Sequence, residues 1–183
     1  MPENNQYQPN NFKLLFTSDR IQKAIKLLAI ELDRNYIENA KDICFIGILN
    51  GSVFFLTDLM MRLNFTAELD FIQVSSYGSD TKSSGNVTLN SIEHLDLDNK
   101  HVIIVDDIID TGLTLQTIKT KIQKAYNPKS IKTCVLIKKH GREQVNVKID
   151  YYCFEIDDKF VVGYGFDFEK QYRNLNEIYY LDN

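Results

Sequence analysis

The chain has 183 residues, with 21 Lys+Arg against 25 Asp+Glu and a net charge of −4. Apolar residues make up 44% and charged residues 25%, with only Gly 8 and Pro 3, which excludes a disordered, collagen-like or low-complexity chain. The acidic balance argues against general nucleic-acid binding, whose footprint is a basic excess, but a phosphorylated small molecule can still sit on a few backbone amides.

The length points to one domain over residues 1–183. The opening MPENNQYQPNN is polar and predicts a loose tail over residues 1–11, with no secretory signal. Thr17 and Ser18 can cap a helix that carries Ile21, Ala24, Ile25, Leu28 and Leu32 on one face. ICFIGIL (Ile43–Leu49) is a continuous apolar run, the pattern of a strand buried on both faces. The turn Asn50-Gly51-Ser52 leads into a helix with Phe55, Leu56, Leu59, Met60 and Leu63. FIQVSS (Phe71–Ser76) reads as a strand, and the polar stretch from Tyr77 to Asn86 as a mobile surface loop.

HVIIVDD (His101–Asp107) is the clearest strand, and it leads to a helix carrying Leu115, Ile118, Ile122 and Ala125. That helix must stop near Asn127-Pro128. TCVLI (Thr133–Ile137) is the next strand. YYCFEI and FVVGYGF read as a late β pair joined by a turn at Asp157-Asp158. Strand and helix alternate, so the fold class is α/β with a mostly parallel sheet. Cys44, Cys134 and Cys153 each lie in an apolar run without metal-ligand spacing, which predicts reduced core thiols of a cytoplasmic protein. No stretch approaches the roughly 20 apolar residues that span a bilayer, so no membrane partner is expected.

VIIVDDIIDTGLT (Val102–Thr114) carries the most chemistry. Two carboxylates, Asp106 and Asp107, stand near the carboxyl end of a buried strand, where open α/β sheets bind ligands. Asp110-Thr111-Gly112-Leu113-Thr114 then enters a helix. Amides at a helix N-terminus, a glycine and two hydroxyls suit a phosphate, and adjacent carboxylates suit a hydrated divalent cation or a ribose diol. The bland alternative is a solvated strand end with Asp110 and Thr111 as helix caps. Neither a Walker A loop nor a G-x-G-x-x-G fingerprint occurs.

VIIVDDIIDTGLT resembles the signature with which type I phosphoribosyltransferases bind PRPP (5-phosphoribosyl 1-pyrophosphate), and DIIDTG resembles their 6-oxopurine branch. The similarity extends over roughly residues 40–175. LNGS (Leu49–Ser52) is similar to the family's pyrophosphate loop, SSYG (Ser75–Gly78) to the start of its flexible catalytic loop, and KFVVGYGFDFEKQYRNL (Lys159–Leu175) to its purine-site segment. The resemblance implies the type I phosphoribosyltransferase fold, a mostly parallel sheet flanked by helices with a small hood made of the N- and C-terminal segments. It also implies purine salvage, from hypoxanthine or guanine and Mg-PRPP to IMP or GMP and pyrophosphate. The implied cofactor is Mg2+, and the implied assembly is a homodimer or homotetramer without nucleic acid.

The same resemblance implies residue roles. Asp110, Thr111, Gly112, Leu113 and Thr114 would hold the PRPP 5′-phosphate. Asp106 and Asp107 would contact the ribose hydroxyls or order the metal. Asp110 would be the acid/base at purine N7. Lys139, with Lys138 as an adjacent competitor, would read the 6-oxo group, and strand alternation lets only one of them face the site. Phe160 would stack on the base, although its apolar run alone would place it in the core. Backbone groups of Val161 and Asp167 would read the base edge, with Asp167 also holding the metal through water. Asn50, Gly51 and Arg173 would bind pyrophosphate, and Ser76 and Tyr77 would close over the reacting centre. Asn50 stands where the family usually has a Lys or Arg; backbone amides of Asn50, Gly51 and Ser52 can still bind an anion, and the lost cation implies weaker pyrophosphate binding or subunit contacts. A non-catalytic RNA-binding regulator on the same fold would need a basic face, and the basic residues here are scattered.

Overall fold

The structure, a computed structural model, describes residues 11–76, 87–89, 92–142 and 144–181. It opens with β1 (Phe12–Phe16), α1 (Ser18–Tyr36) and a 3-10 turn (Ile37–Asp42). Thr17 caps α1 as expected, its hydroxyl accepting from the Arg20 N–H at 3.3 Å. Then come β2 (Ile43–Leu49), α2 (Ser52–Met60), β3 (Glu68–Ser76) and β4 (Val87–Leu89). β5 (His101–Ile109), α3 (Leu113–Ala125), β6 (Ser130–Lys139) and β7 (Tyr151–Ile156) follow, and β8 (Val161–Val162) and β9 (Ile178–Leu181) close the chain. α3 stops three residues before Pro128, as the sequence requires.

The main sheet has the order β4-β3-β2-β5-β6-β7. Five of its strands run parallel, and β4 pairs antiparallel with β3 at the edge. The apolar runs are explained by burial on both faces. Along β2 and β5, Phe45, Ile103 and Val105 face α1 and α2, while Cys44, Ile46, Val102 and Ile104 face α3. Cys44 and Cys134 are buried, Cys153 is partly so, and none forms a disulfide. Burial pushes the Cys44 and Cys153 thiols up to about 12 and raises Cys134 as well, so all three stay protonated and inert near neutrality.

Two sequence expectations are corrected. Tyr151–Ile156 and Val161–Val162 do not pair with each other. β7 pairs parallel with β6 in the main sheet, while β8 pairs antiparallel with β9 in a separate small sheet of order β1-β9-β8. Asp157-Asp158 is therefore the crossing from one sheet to the other rather than a hairpin turn. Around the predicted tail, residues 1–10 lie outside the described residues, and Phe12 already pairs with Leu181. The small sheet joins the core on the α1–α2 side, where Val161, Tyr164, Phe166 and Ile178 pack in one cluster with Ile21, Phe55 and Leu59. No helix among the described residues is long and apolar enough to cross a membrane.

Gly47 sits mid-strand in β2, where a Cβ would come within 2.6 Å of Leu56 and 2.8 Å of the Phe71 ring. Gly47→Ala is expected to lower stability by about 1–3 kcal/mol through overpacking. Urea unfolding measures this, and an unchanged midpoint would show that Leu56 and Phe71 give way freely.

Candidate active site

The candidate phosphate loop grows out of the longest parallel pairing, that of β5 with β6. β5 does not end at Asp107 as the sequence suggested. It continues to Ile109, because Ile108 and Ile109 still pair with Ile137 and Lys138 of β6. Asp110–Gly112 then turns into α3, with Gly112, which has no side chain to cap the helix, at the N-cap. Asp110 is thus not a helix cap, which corrects the bland reading of that residue. The Thr111 hydroxyl accepts from the Leu113 N–H at 3.4 Å. With no acidic residue in its first turn, the start of α3 keeps the positive field that favours an anion. The connection after β6 supports this loop from outside. The N–H groups of Gln144 and Val145 both donate to the Thr111 carbonyl, at 3.0 and 3.4 Å, and Val145 packs against Gly112.

The second part of the site is a convergence on Asn50-Gly51. The Leu49-Asn50 peptide is cis, and the buried Ser52 hydroxyl donates to the Ile48 carbonyl at 2.6 Å. A Cβ on Gly51 would stand 1.7 Å from Asp107 Oδ2, and one on Gly165 would stand 2.4 Å from the Gly51 carbonyl oxygen. Gly165 also has φ +102°, which L side chains rarely adopt. Arg173 folds back onto this turn. It donates to the Gly165 carbonyl at 2.5 Å and ion-pairs with Asp167, whose other oxygen accepts from the Lys170 N–H at 2.9 Å. Arg173 is therefore not a solvated surface arginine. The whole segment is tied to α2 by Tyr164, whose hydroxyl donates to Asp58, which Gln22 of α1 also contacts at 2.6 Å.

Asp106 and Asp107 are both partly buried. Burial, then the charge of its neighbour, raises Asp106 well above the ordinary carboxylate range. Burial raises Asp107 to about 6, with its hydrogen bonds and the Arg173 charge holding it back. Two adjacent carboxylates that resist ionising side by side suit a hard cation. No group of three or more potential ligands gathers to hold a metal unaided among the described residues. The donor set therefore fits magnesium, which takes one or two carboxylates and completes its shell with water and ligand oxygens.

The third part lies beyond β6. Lys138 turns to Glu155 at 2.7 Å and to the face of Tyr152, whereas Lys139 is buried with Nζ 3.4 Å from Asp158 Oδ1. Phe160, expected in the core by its apolar run, is 45% exposed and meets Phe168 edge-on. Its ring is available for stacking. Val161 pairs with Tyr180 in the small sheet. The backbone of Ser76 is paired with Val87, and Tyr77 lies outside the described residues. Sequence reasoning missed Arg142 and Asp158. Arg142 lies 3.2 Å from Asp110 and 3.3 Å from Asp158, linking residues remote in the chain. The charge pattern KKHGRE…DDK was the one available signal.

A family model described as phosphoribosyl transferase domain matches residues 15–169. The hypoxanthine-guanine-xanthine phosphoribosyltransferase of Tritrichomonas foetus is 43% identical over 167 residues, spanning 91% of this chain and 89% of that protein. The hypoxanthine-guanine phosphoribosyltransferase of Aquifex aeolicus is 39% identical over 171 residues, spanning 93% and 95%. A solved structure of a hypoxanthine phosphoribosyltransferase from Staphylococcus aureus has a TM-score of 0.90 at 35% identity, spanning 98% of this chain and 97% of that one.

The acid pair gives a pH signature. Folded Asp107 keeps its proton up to about 6, whereas the ordinary value is 3.8. Stability from the protonated form is present below the ordinary value and is lost as pH rises through about 6. Asp107→Asn mimics that form. Urea unfolding without ligand is expected to show the variant gaining on the wild type as pH rises from 4 to 7. A constant difference across that range would place the titration elsewhere.

Proposed function

The chain belongs to the type I phosphoribosyltransferase family, in its hypoxanthine-guanine branch, and from that premise we propose that it transfers the 5-phosphoribosyl group of PRPP to N9 of hypoxanthine or guanine. The observation that carries the reading is the gathering of a phosphate loop, an acid pair and a buried lysine at the carboxyl ends of β5 and β6. In this reading the amides and hydroxyls of Thr111–Thr114 hold the 5′-phosphate. Asp106 and Asp107 take the ribose hydroxyls. The amides of Asn50 and Gly51, with Arg173, take the pyrophosphate.

Lys139 donates to the 6-oxo group, Phe160 stacks on the ring, and backbone groups of Val161 and Asp167 read its edge. The N9–C1′ bond forms as the C1′–pyrophosphate bond breaks, through an oxocarbenium-like transition state. The N7 proton passes to the Asp110 carboxylate. Anchoring both substrates removes the entropy cost of their encounter. Asp106, Asp107 and, through water, Asp167 would hold a magnesium ion that supplies charge neutralisation on the departing pyrophosphate.

The described residues are read as one phosphoribosyltransferase domain, supported by the apolar cluster shared between the small sheet and α1–α2. A cytoplasmic homodimer or homotetramer acting in purine salvage is consistent with the family and with the exposed Leu27 and Ile30 of α1.

The test is pyrophosphate release with PRPP, magnesium and a panel of bases. Hypoxanthine and guanine are expected to react, and adenine and uracil to stay at background. Absence of release with every purine would return the chain to a regulatory role. Asp110→Asn is expected to lower kcat by about 10²–10⁴-fold. A loss under about threefold with normal PRPP binding would leave Asp110 without a part in proton transfer.

A further inference from the structure

Two residues outside the roles above join the base-reading lysine to the acid/base. Lys139 Nζ lies 3.4 Å from Asp158 Oδ1, Arg142 spans from Asp158 at 3.3 Å to Asp110 at 3.2 Å, and the signs alternate along the four side chains. The contact with Asp110 uses Nε and the contact with Asp158 uses NH1, so one guanidinium holds both carboxylates. Asp110 Oδ1 is buried and accepts no hydrogen bond among the described residues. Arg142 Nε stands 3.2 Å from it without a hydrogen bond, so the contact acts through charge. Asp158 is gripped by both cations. Burial raises its carboxyl, but hydrogen bonds and charge from Lys139 and Arg142 outweigh that and lower it. Arg142 follows the open turn at Gly141, and two residues later the chain bonds back to Thr111. The Gln144 and Val145 N–H groups thus tie the segment after Arg142 to the Thr111 carbonyl.

The 6-oxo group and N7 lie on the same edge of a 6-oxopurine. A site that donates to one while accepting a proton from the other must hold its two side chains at a matching separation. We propose that Arg142 and Asp158 are positioning residues that set the separation of Lys139 from Asp110, matching that pair to the O6–N7 edge. The proposal rests on the transferase reading and deepens it. Lys139 carries three donors, so it can keep Asp158 while meeting the base. With Arg142 against Oδ1, Oδ2 is the oxygen that receives the N7 proton.

The test compares Arg142→Gln, Arg142→Lys and Asp158→Asn in steady-state assays with hypoxanthine and PRPP. Both wild-type side chains are about half exposed, at 47% and 50%, so thermal midpoints close to wild type are expected. Misplacing the acid/base is expected to lower kcat/KM for hypoxanthine by about 10–100-fold while KM for PRPP stays within about twofold. Lysine keeps the charge but cannot span two carboxylates, so Arg142→Lys is expected to share the defect. Wild-type activity in Arg142→Lys would mean that charge alone acts, and the positioning role falls.

Combining Arg142→Gln with Asp110→Asn is expected to cost no more than Asp110→Asn alone. Losses that multiply would overturn the proposal. If Asp110→Asn is severe while Arg142→Gln and Asp158→Asn are both neutral, the positioning role fails and the transferase reading stands. If Asp110→Asn is itself neutral, the acid/base assignment fails instead. Should either Arg142 variant fold poorly, Asp158→Asn reads the same link from its other end.

Discussion

The site depends on how closely three stretches of chain approach at Gly51. Asp107 comes from the end of β5, the Gly51 carbonyl from the loop before α2, and Gly165 from the segment before β9. A side chain at either glycine would meet a carboxylate or a backbone oxygen and force the segments apart. The Arg173 charge acts on Asp107 in this region and partly offsets the effect of burial on its carboxyl. Tyr164 and Asp58 hold the approach from behind, since their hydrogen bond ties the same segment to α2. The closeness therefore comes from the packed core as much as from the loops.

The electrostatics follow from the same geometry. Asp106 and Asp107 are held where water is scarce, and burial raises both carboxyls. An isolated acidic pair of this kind is a standing cost to the fold. A bound cation would offset it, and the helix-start amides of α3 lie a few residues along the same chain. On the other flank the charges are paired. Lys139, Asp158, Arg142 and Asp110 alternate in sign, so this flank is held together by attraction.

Much of this was legible in local pattern. Continuous apolar runs marked β2, β5 and β6, because strands buried on both faces have no polar side to show. The two acids and the Thr/Gly loop marked a candidate phosphate seat, since both lie in one contiguous stretch. The small sheet was not legible. β1 and β9 are short and lie at opposite ends of the chain, so their pairing is a long-range contact that no local pattern announces. Val161–Val162 gave an apolar signal, but nothing local says which of two sheets such a pair joins. Phe160 misled for a related reason: its apolar run predicted burial, while the crossing between the sheets left its ring exposed.

The α/β class, the order of the main elements and the chemistry of each local cluster follow from the order of residues alone. These depend on periodicity and on neighbours within a few residues, which the chain carries in one dimension. Which clusters meet depends on the folded arrangement. It distinguished Lys139 from Lys138 by burial, set Gly51 against Asp107, and placed Arg142 between Asp158 and Asp110. Ion pairs and close approaches between remote segments leave no periodic trace. They exist because the packed core fixes where each loop begins and ends.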